Sequence, residues 1–414
     1  MAYKAIVLLD LAGGNDSHNV IIPSGPGASG PDSYAEYAAA RGSMAKSSGA
    51  LVALPAGFGN YKLHPNLPYL GAIAAANRLA VVANVGTLVQ PTTRAQYLNP
   101  PGGHQFPPQL FSHSDQQRLW ASPAANSASN AVGWGAQIAT QVQGANGANS
   151  GLTCVSFSGG GKVVEGSFAS TASGPSGLYG SWSGLHDDLT DILALAPTPG
   201  NGYEVPLRDK ITSARTLSTT LRSFWPDDPN WMPNQSAQNP AGFPTSTIGQ
   251  AMRGIARMIS LRGGTALNMD KQVLHARMGG FDTHNDNGTH DLLMLDLDQT
   301  LRAFDAAVQT MGADVVVYVY SEFGRTLRTN GNGSDHAWGG HAFMIGSSVL
   351  TGIKGTMPRL LRDGPDDIGL GRLVPTLAHE QPAAQLATWM GLNAGQVAAI
   401  FPNLAAFPAM PAIL

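Results

Sequence analysis

Residues 272–345 constrain this chain more than any other stretch, because a strand, a long amphipathic helix and a second strand follow one another there. Residues 272–278 have the apolar content and length of a strand. Leu297, Leu301, Phe304, Val308 and Met311 are then spaced 4, 3, 4 and 3 apart, one face of a helix that Gly312 ends. Residues 315–320, Val-Val-Val-Tyr-Val-Tyr, show no alternation and read as a strand buried on both faces. A crossover of this length joins parallel strands with a right-handed connection, so both strands end on one edge of a sheet. Polar groups cluster just past those ends: Gly279-Gly280-Phe281-Asp282-Thr283-His284, then Ser321-Glu322-Phe323-Gly324-Arg325, then Gly333-Ser334-Asp335-His336. Ligands of open α/β sheets bind at that edge.

The rest of the chain is consistent with one α/β domain over residues 1–414. Residues 5–11 form a short apolar run ended by Gly13-Gly14, the pattern of a buried parallel strand, and Asp16 would join the same edge. Residues 66–77 predict a helix and 79–85 another strand. Helices are expected at 115–120 and 135–142, and at 248–259 with Ser246 as its cap and Gly263-Gly264 as its stop. Residues 144–245, rich in Gly, Ser, Pro and Asn, read as an insertion or cap, with a small sheet near 152–168 and a helix near 207–224. Such a length is too great for a bare loop, and insertions of this kind often shape a substrate entrance. Residues 342–345 are a last short strand, opened by a structural His341.

Composition narrows the partners. Charged residues make up only 12% and the net charge is −3, so no basic footprint for nucleic acid exists. No run approaches the ~18 apolar residues of a membrane span. The single cysteine, Cys154, excludes an intrachain disulfide and a thiolate metal cage. A surface of small neutral polar groups is more usual outside the bacterial cytoplasm than inside it. No signal peptide is read, and the chain starts almost directly with a core strand, as after removal of a leader.

Carboxylates and imidazoles on one edge make a mixed oxygen and nitrogen donor set suited to zinc, manganese or a harder divalent ion such as magnesium or calcium. Asp16, Asp282, His284, Glu322 and His336 are the candidate ligands. Asp335 is either a ligand or the partner that fixes His336. Arg325 and Arg328 follow Glu322 closely, and a planar guanidinium suits a phosphate, sulfate or carboxylate group. Taken singly, Asp282 and Asp335 are also ordinary turn formers, and their joint occurrence at one edge is what points to a site. Ser112 and His113, at the start of the helix near 115–120, are the candidate nucleophile or acid/base pair, with simple capping as the alternative. No Gly-x-Ser-x-Gly elbow, Gly-Lys-Ser/Thr phosphate loop or Gly-x-Gly-x-x-Gly fingerprint follows a strand.

Leu11-Ala12-Gly13-Gly14-Asn15-Asp16, Arg78-Leu79-Ala80-Val81-Val82, Ser112-His113, Gly133-Trp134, Gly280-Phe281-Asp282-Thr283-His284, Ser321-Glu322-Phe323-Gly324-Arg325-Thr326 and Ser334-Asp335-His336 occur in that order. This pattern resembles the bacterial family of domain of unknown function 1501 (DUF1501), related to the alkaline phosphatase and sulfatase superfamily. The resemblance implies a doubly wound, mostly parallel sheet with metals at its carboxyl edge, and twin-arginine (Tat) export to the periplasm or beyond. It also implies Glu322 as an acidic ligand, His336 as a late histidine ligand, and Asp282 with His284 as an Asp/His pair, although the phosphatase spacing is wider. The expected function is therefore an exported metal-dependent hydrolase of a phosphate or sulfate ester or a modified saccharide. A lyase acting on a uronate-containing polysaccharide, with His113 or His284 as base, and a non-catalytic binding protein are the alternatives.

Overall fold

The computed structural model describes residues 3–126, 132–166, 232–236, 239–263 and 267–414, with Gly202, Glu204, Val205, Arg208 and Thr212. The strands, in chain order, are β1 (Lys4–Leu11), β2 (Ile21–Pro23), β3 (Val52–Ala53), β4 (Tyr61–Leu63), β5 (Leu79–Gly86), β6 (Cys154–Ser156), β7 (Lys271–Met278), β8 (Asp314–Tyr320), β9 (Arg325–Thr329), β10 (Ser334–His336), β11 (Gly340–Ile345), β12 (Gly352–Lys354) and β13 (Leu377–Ala378). The central sheet runs β12-β5-β11-β8-β1-β7-β6, with β13 also pairing β5. Only β11 is antiparallel to its neighbours β8 and β5; β1 pairs parallel with both β7 and β8. The sheet is thus mostly parallel, and the strands at 271–278 and 314–320 share an edge as the crossover argument requires.

The alternation of β1 shows how the layers form. Ala5, Val7, Leu9 and Leu11 pack on one side with the helices Pro68–Ala75, Thr247–Ser260 and Asn287–Met311. Ile6 and Leu8 pack on the other side with the helices Trp134–Val142, Glu380–Trp389 and Ala394–Ile400. Successive strand residues face opposite ways, so a continuous apolar run can only be covered by helices on both faces. That is a doubly wound α/β sheet.

Local signals set most element ends. Ser246 accepts from Gly249 N–H at 3.2 Å and starts its helix, as its position before the apolar pattern predicts. The long helix ends at Gly312 in the left-handed conformation (φ 56°). Its start lies earlier than the apolar pattern suggests: Asp286 accepts from Gly288 N–H at 2.7 Å, so His290 and Asp291 belong to the first turn. The small sheet expected near 152–168 is not separate. Cys154–Ser156 instead extends the central sheet by pairing parallel with β7, and Lys162–Val164 is a single 3-10 turn. The helix expected near 207–224 lies almost wholly outside the described residues, as does most of the 144–245 insertion.

Candidate metal centre

The carboxyl ends of β1, β7 and β8 are in register, with Leu11 opposite Met278 and Asp10 opposite Tyr320. The three loops leaving those ends touch through their backbones. A Cβ on Gly13 (φ 121°) would lie 2.4 Å from Asp282 N, so only glycine permits this approach. Arg325, fully buried, joins the loops: Nε donates to Gly14 O, Nη1 to Ser334 O, and Nη2 to Gly13 O, Phe281 O and Asp282 Oδ1. The hairpin β9–β10 sets His336 opposite Arg325 and so returns Asp335 and His336 to the same place.

Three imidazoles converge on one carboxylate oxygen. His284 Nε2, His336 Nε2 and His113 Nε2 lie 3.1, 3.3 and 3.5 Å from Asp282 Oδ1, and the first two nitrogens are 2.8 Å apart. Each ring is fixed from behind through Nδ1. Glu322 Oε1 is 2.9 Å from His113 Nδ1, Phe111 O is 2.6 Å from His336 Nδ1, and Asp335 Oδ1 is 3.1 Å from His284 Nδ1. An acceptor on Nδ1 selects the tautomer that leaves the Nε2 lone pair free, the arrangement found behind metal-ligating histidines. His113 Nε2 is buried with no hydrogen-bond partner. His113, Asp282 and His336 offer ligand atoms all within 4.8 Å of one another. Tetrahedral zinc with ligands ~2.0–2.1 Å away holds its donors about 3.3 Å apart, which matches this spacing.

The electrostatics follow from the same contacts. The Glu322 hydrogen bond raises the His113 pKa against the opposing effect of burial. Burial, reinforced by the charges of His113 and Arg325, lowers that of His336. Burial works to raise the Asp282 carboxyl, but Arg325, His336 and His113 together hold it down at about 2. Asp282 is therefore an anion facing three imidazole nitrogens, with Arg325 as its permanently charged partner among the described residues.

Several expected roles change. Glu322 is buried and accepts from Gly13 N–H, Gly14 N–H, His113, Gln117 and Ser321, so it holds His113 in place and faces donors on all sides. Asp16 does not join the cluster; it pairs with Arg41 and accepts from Asn19 at 3.0 Å. Arg325 has no nitrogen left without a protein oxygen and so cannot steady a substrate. His113, read as a nucleophile or acid/base, has its Nε2 in the cluster, 3.5 Å from Asp282 Oδ1. Asp335 is the partner of a histidine, but of His284, not of its neighbour His336. Ser112 precedes the helix His113–Ala121 and donates to Asp115 Oδ2 at 2.6 Å, with no hydrogen bond to the cluster.

Sequence reasoning assigns no role to three participants. Phe111 adopts φ 74°, a strained conformation that directs its carbonyl to His336. Arg372 lies over the Phe111 ring at 4.4 Å and donates through Nε to His336 O at 3.0 Å. Gln117 sits one helical turn past His113, a spacing that does place both on Glu322. A second group, His64, His290 and Asp291, meets the same geometric criterion for an ion. There Asp291 already pairs with the Lys46 ammonium and His64, while His290 Nε2 faces Asn15 Oδ1 at 3.0 Å.

The family model described as protein of unknown function (DUF1501) matches residues 258–383, which contain Asp282, His284, Glu322, Asp335 and His336. No curated protein matches the chain. Among solved structures it is similar to the C-terminal periplasmic domain of EptC from Escherichia coli in complex with Zn, at 9% identity and TM-score 0.38, covering 95% of this chain and 84% of that one. It is also similar to the C-terminal periplasmic domain of phosphoethanolamine transferase EptC from Campylobacter jejuni, at 8% identity and TM-score 0.37, covering 99% and 97%. Among the described residues, no helix is long and apolar enough to cross a membrane.

Proposed function

We propose that the protein is an exported metal-dependent hydrolase of an anionic ester, of the phosphate or sulfate class. The supporting observation is the convergence of His113, Asp282 and His336, with every ring anchored behind and His113 Nε2 left without a partner. These residues would hold a divalent ion, zinc being the best match to the donors and spacing. Such an ion supplies charge neutralisation for the ester oxygens and acidifies water.

The chain's own groups divide the remaining work. His284, backed by Asp335, has its Nε2 2.8 Å from that of His336 and 3.1 Å from Asp282 Oδ1, within reach to move a proton there. Arg372, half-buried beside His336, takes the anion-binding role that Arg325 cannot fill. Phe323, 4.9 and 4.7 Å from the His113 and His336 rings, packs the apolar side and limits water. Work outside the cytoplasm is supported by the low charge content of 12%.

A second reading has its own observation. If His284 Nε2, 2.8 Å from the His336 nitrogen, completes a four-donor shell, no position stays open and the protein binds rather than hydrolyses. Metal analysis of purified protein, with phosphomonoester, phosphodiester and sulfate ester assays with and without chelator, decides between them. The hydrolase reading expects chelator-sensitive turnover that Asp282→Ala abolishes. Stoichiometric metal without turnover on any ester class would favour the closed shell, and absence of metal would overturn both. Arg372→Ala is expected to raise KM about tenfold or more with a smaller change in kcat, because it removes a contact to the bound anion.

A further inference from the structure

An open cavity of about 690 Å3 lies between the helix Tyr34–Arg41, the strand β9 and the loop at 361–371. Its volume is within the range of small-ligand pockets. Two arginines line it, Arg328 from β9 and Arg362 from the loop. Both are exposed, and neither guanidinium forms an ion pair or hydrogen bond with another of the described residues. Of the three carboxylates in the lining, two are committed and the third, Asp363, is exposed to solvent. Glu36 is taken by Arg359, and the buried Asp367 accepts from the N–H groups of Asp363, Gly369 and Gly371.

That Asp367 knot fixes the loop in an unusual shape. Asp363 and Leu370 hold φ of 60° and 62°, conformations that side-chain-bearing residues rarely adopt. The strained Leu370 is 45% exposed at the cavity wall, opposite small alanines of the helix, so the wall keeps an apolar surface at a conformational cost. Two free guanidinium forks above a rigid apolar wall match a ligand with an oxyanion at one end and an apolar-faced body.

We infer that this cavity is a second, metal-independent binding site for a small oxyanion-bearing ligand (carboxylate, sulfate or phosphate) carried on a body such as a sugar ring. It does not rest on the hydrolase reading. Arg325 of the same strand is consumed at the metal centre, whereas Arg328 emerges roughly 10 Å further along it.

Calorimetry on the full chain after chelator treatment tests the site, with inorganic phosphate, sulfate, glucuronate and glucose 6-phosphate as probes at fixed ionic strength. Saturable binding of at least one sugar acid or sugar phosphate is expected, tighter than that of the matching inorganic anion. Arg328→Ala with Arg362→Ala should weaken it at least tenfold, while Asp282→Ala leaves it unchanged. Both arginines are exposed, so an unaltered thermal midpoint will show that the double variant is folded. If no probe binds saturably, or the double variant binds as tightly as the parent, the inference is overturned. Loss of binding in Asp282→Ala but not in the arginine variant would also overturn it, by assigning the anion to the metal centre.

Discussion

Glu322 accepts from donors on the first loop, on the helix His113–Ala121 and on Ser321, and through His113 it governs one corner of the centre. Glu322→Gln would turn an amide NH2 toward those donors. Metal affinity should fall about 10–100-fold, measured by competition with a chromophoric chelator. At this scale the sequence was legible in part. Asp282, His284, Glu322, Asp335 and His336 were all recognisable as edge residues, because several titratable groups recur together just past strand ends that share one edge. Their division into donors and anchors was not legible. It depends on Gly13, Phe111 and Gln117, which come from distant segments and look ordinary in the chain. Arg372 lies 36 residues beyond His336 in a glycine-rich loop, where nothing marks it.

Elements were read best where a local signal fixes them. Ser246 caps its helix through Gly249 N–H and also donates to Asp296 Oδ1 at 2.8 Å. Ser246→Ala should therefore cost about 1–2 kcal/mol of unfolding free energy by denaturant titration. Gly13→Ala tests the meeting of two strand-end loops. With φ 121° and backbone atoms of residues 281 and 282 at 2.4–3.0 Å, it should cost roughly 2 kcal/mol or more and disturb Asp282. The direction of β11 was beyond reach, since a short apolar run does not encode which way it lies. The same holds for β6, three residues whose sheet is chosen by β7.

Across the whole molecule, the two-sided sheet followed from strands with no alternation, which helices must cover on both faces. One buried acid sets a pH response for the fold. Burial pushes the Glu380 carboxyl up to about 8, against the smaller opposing effects of the Ala125 N–H and the Asn403 side chain. The native state thus keeps a proton that the unfolded chain releases near its ordinary pKa of ~4.3. This stabilisation is complete below that value and is lost as pH rises through about 8. Thermal midpoints between about pH 5 and 9 should fall less steeply for Glu380→Gln than for the parent.

His113, Asp282, His284 and His336 arrive from three stretches of chain that meet only once the strands at 271–278 and 314–320 flank the first one and the hairpin has folded back. No fragment ending before residue 336 contains all three candidate donors, His113, Asp282 and His336, together with His284. Capture of the proposed ion would accordingly be a late event in the life of the chain. Loading should follow the acquisition of native structure, and a nascent polypeptide has little means of seizing the wrong ion early.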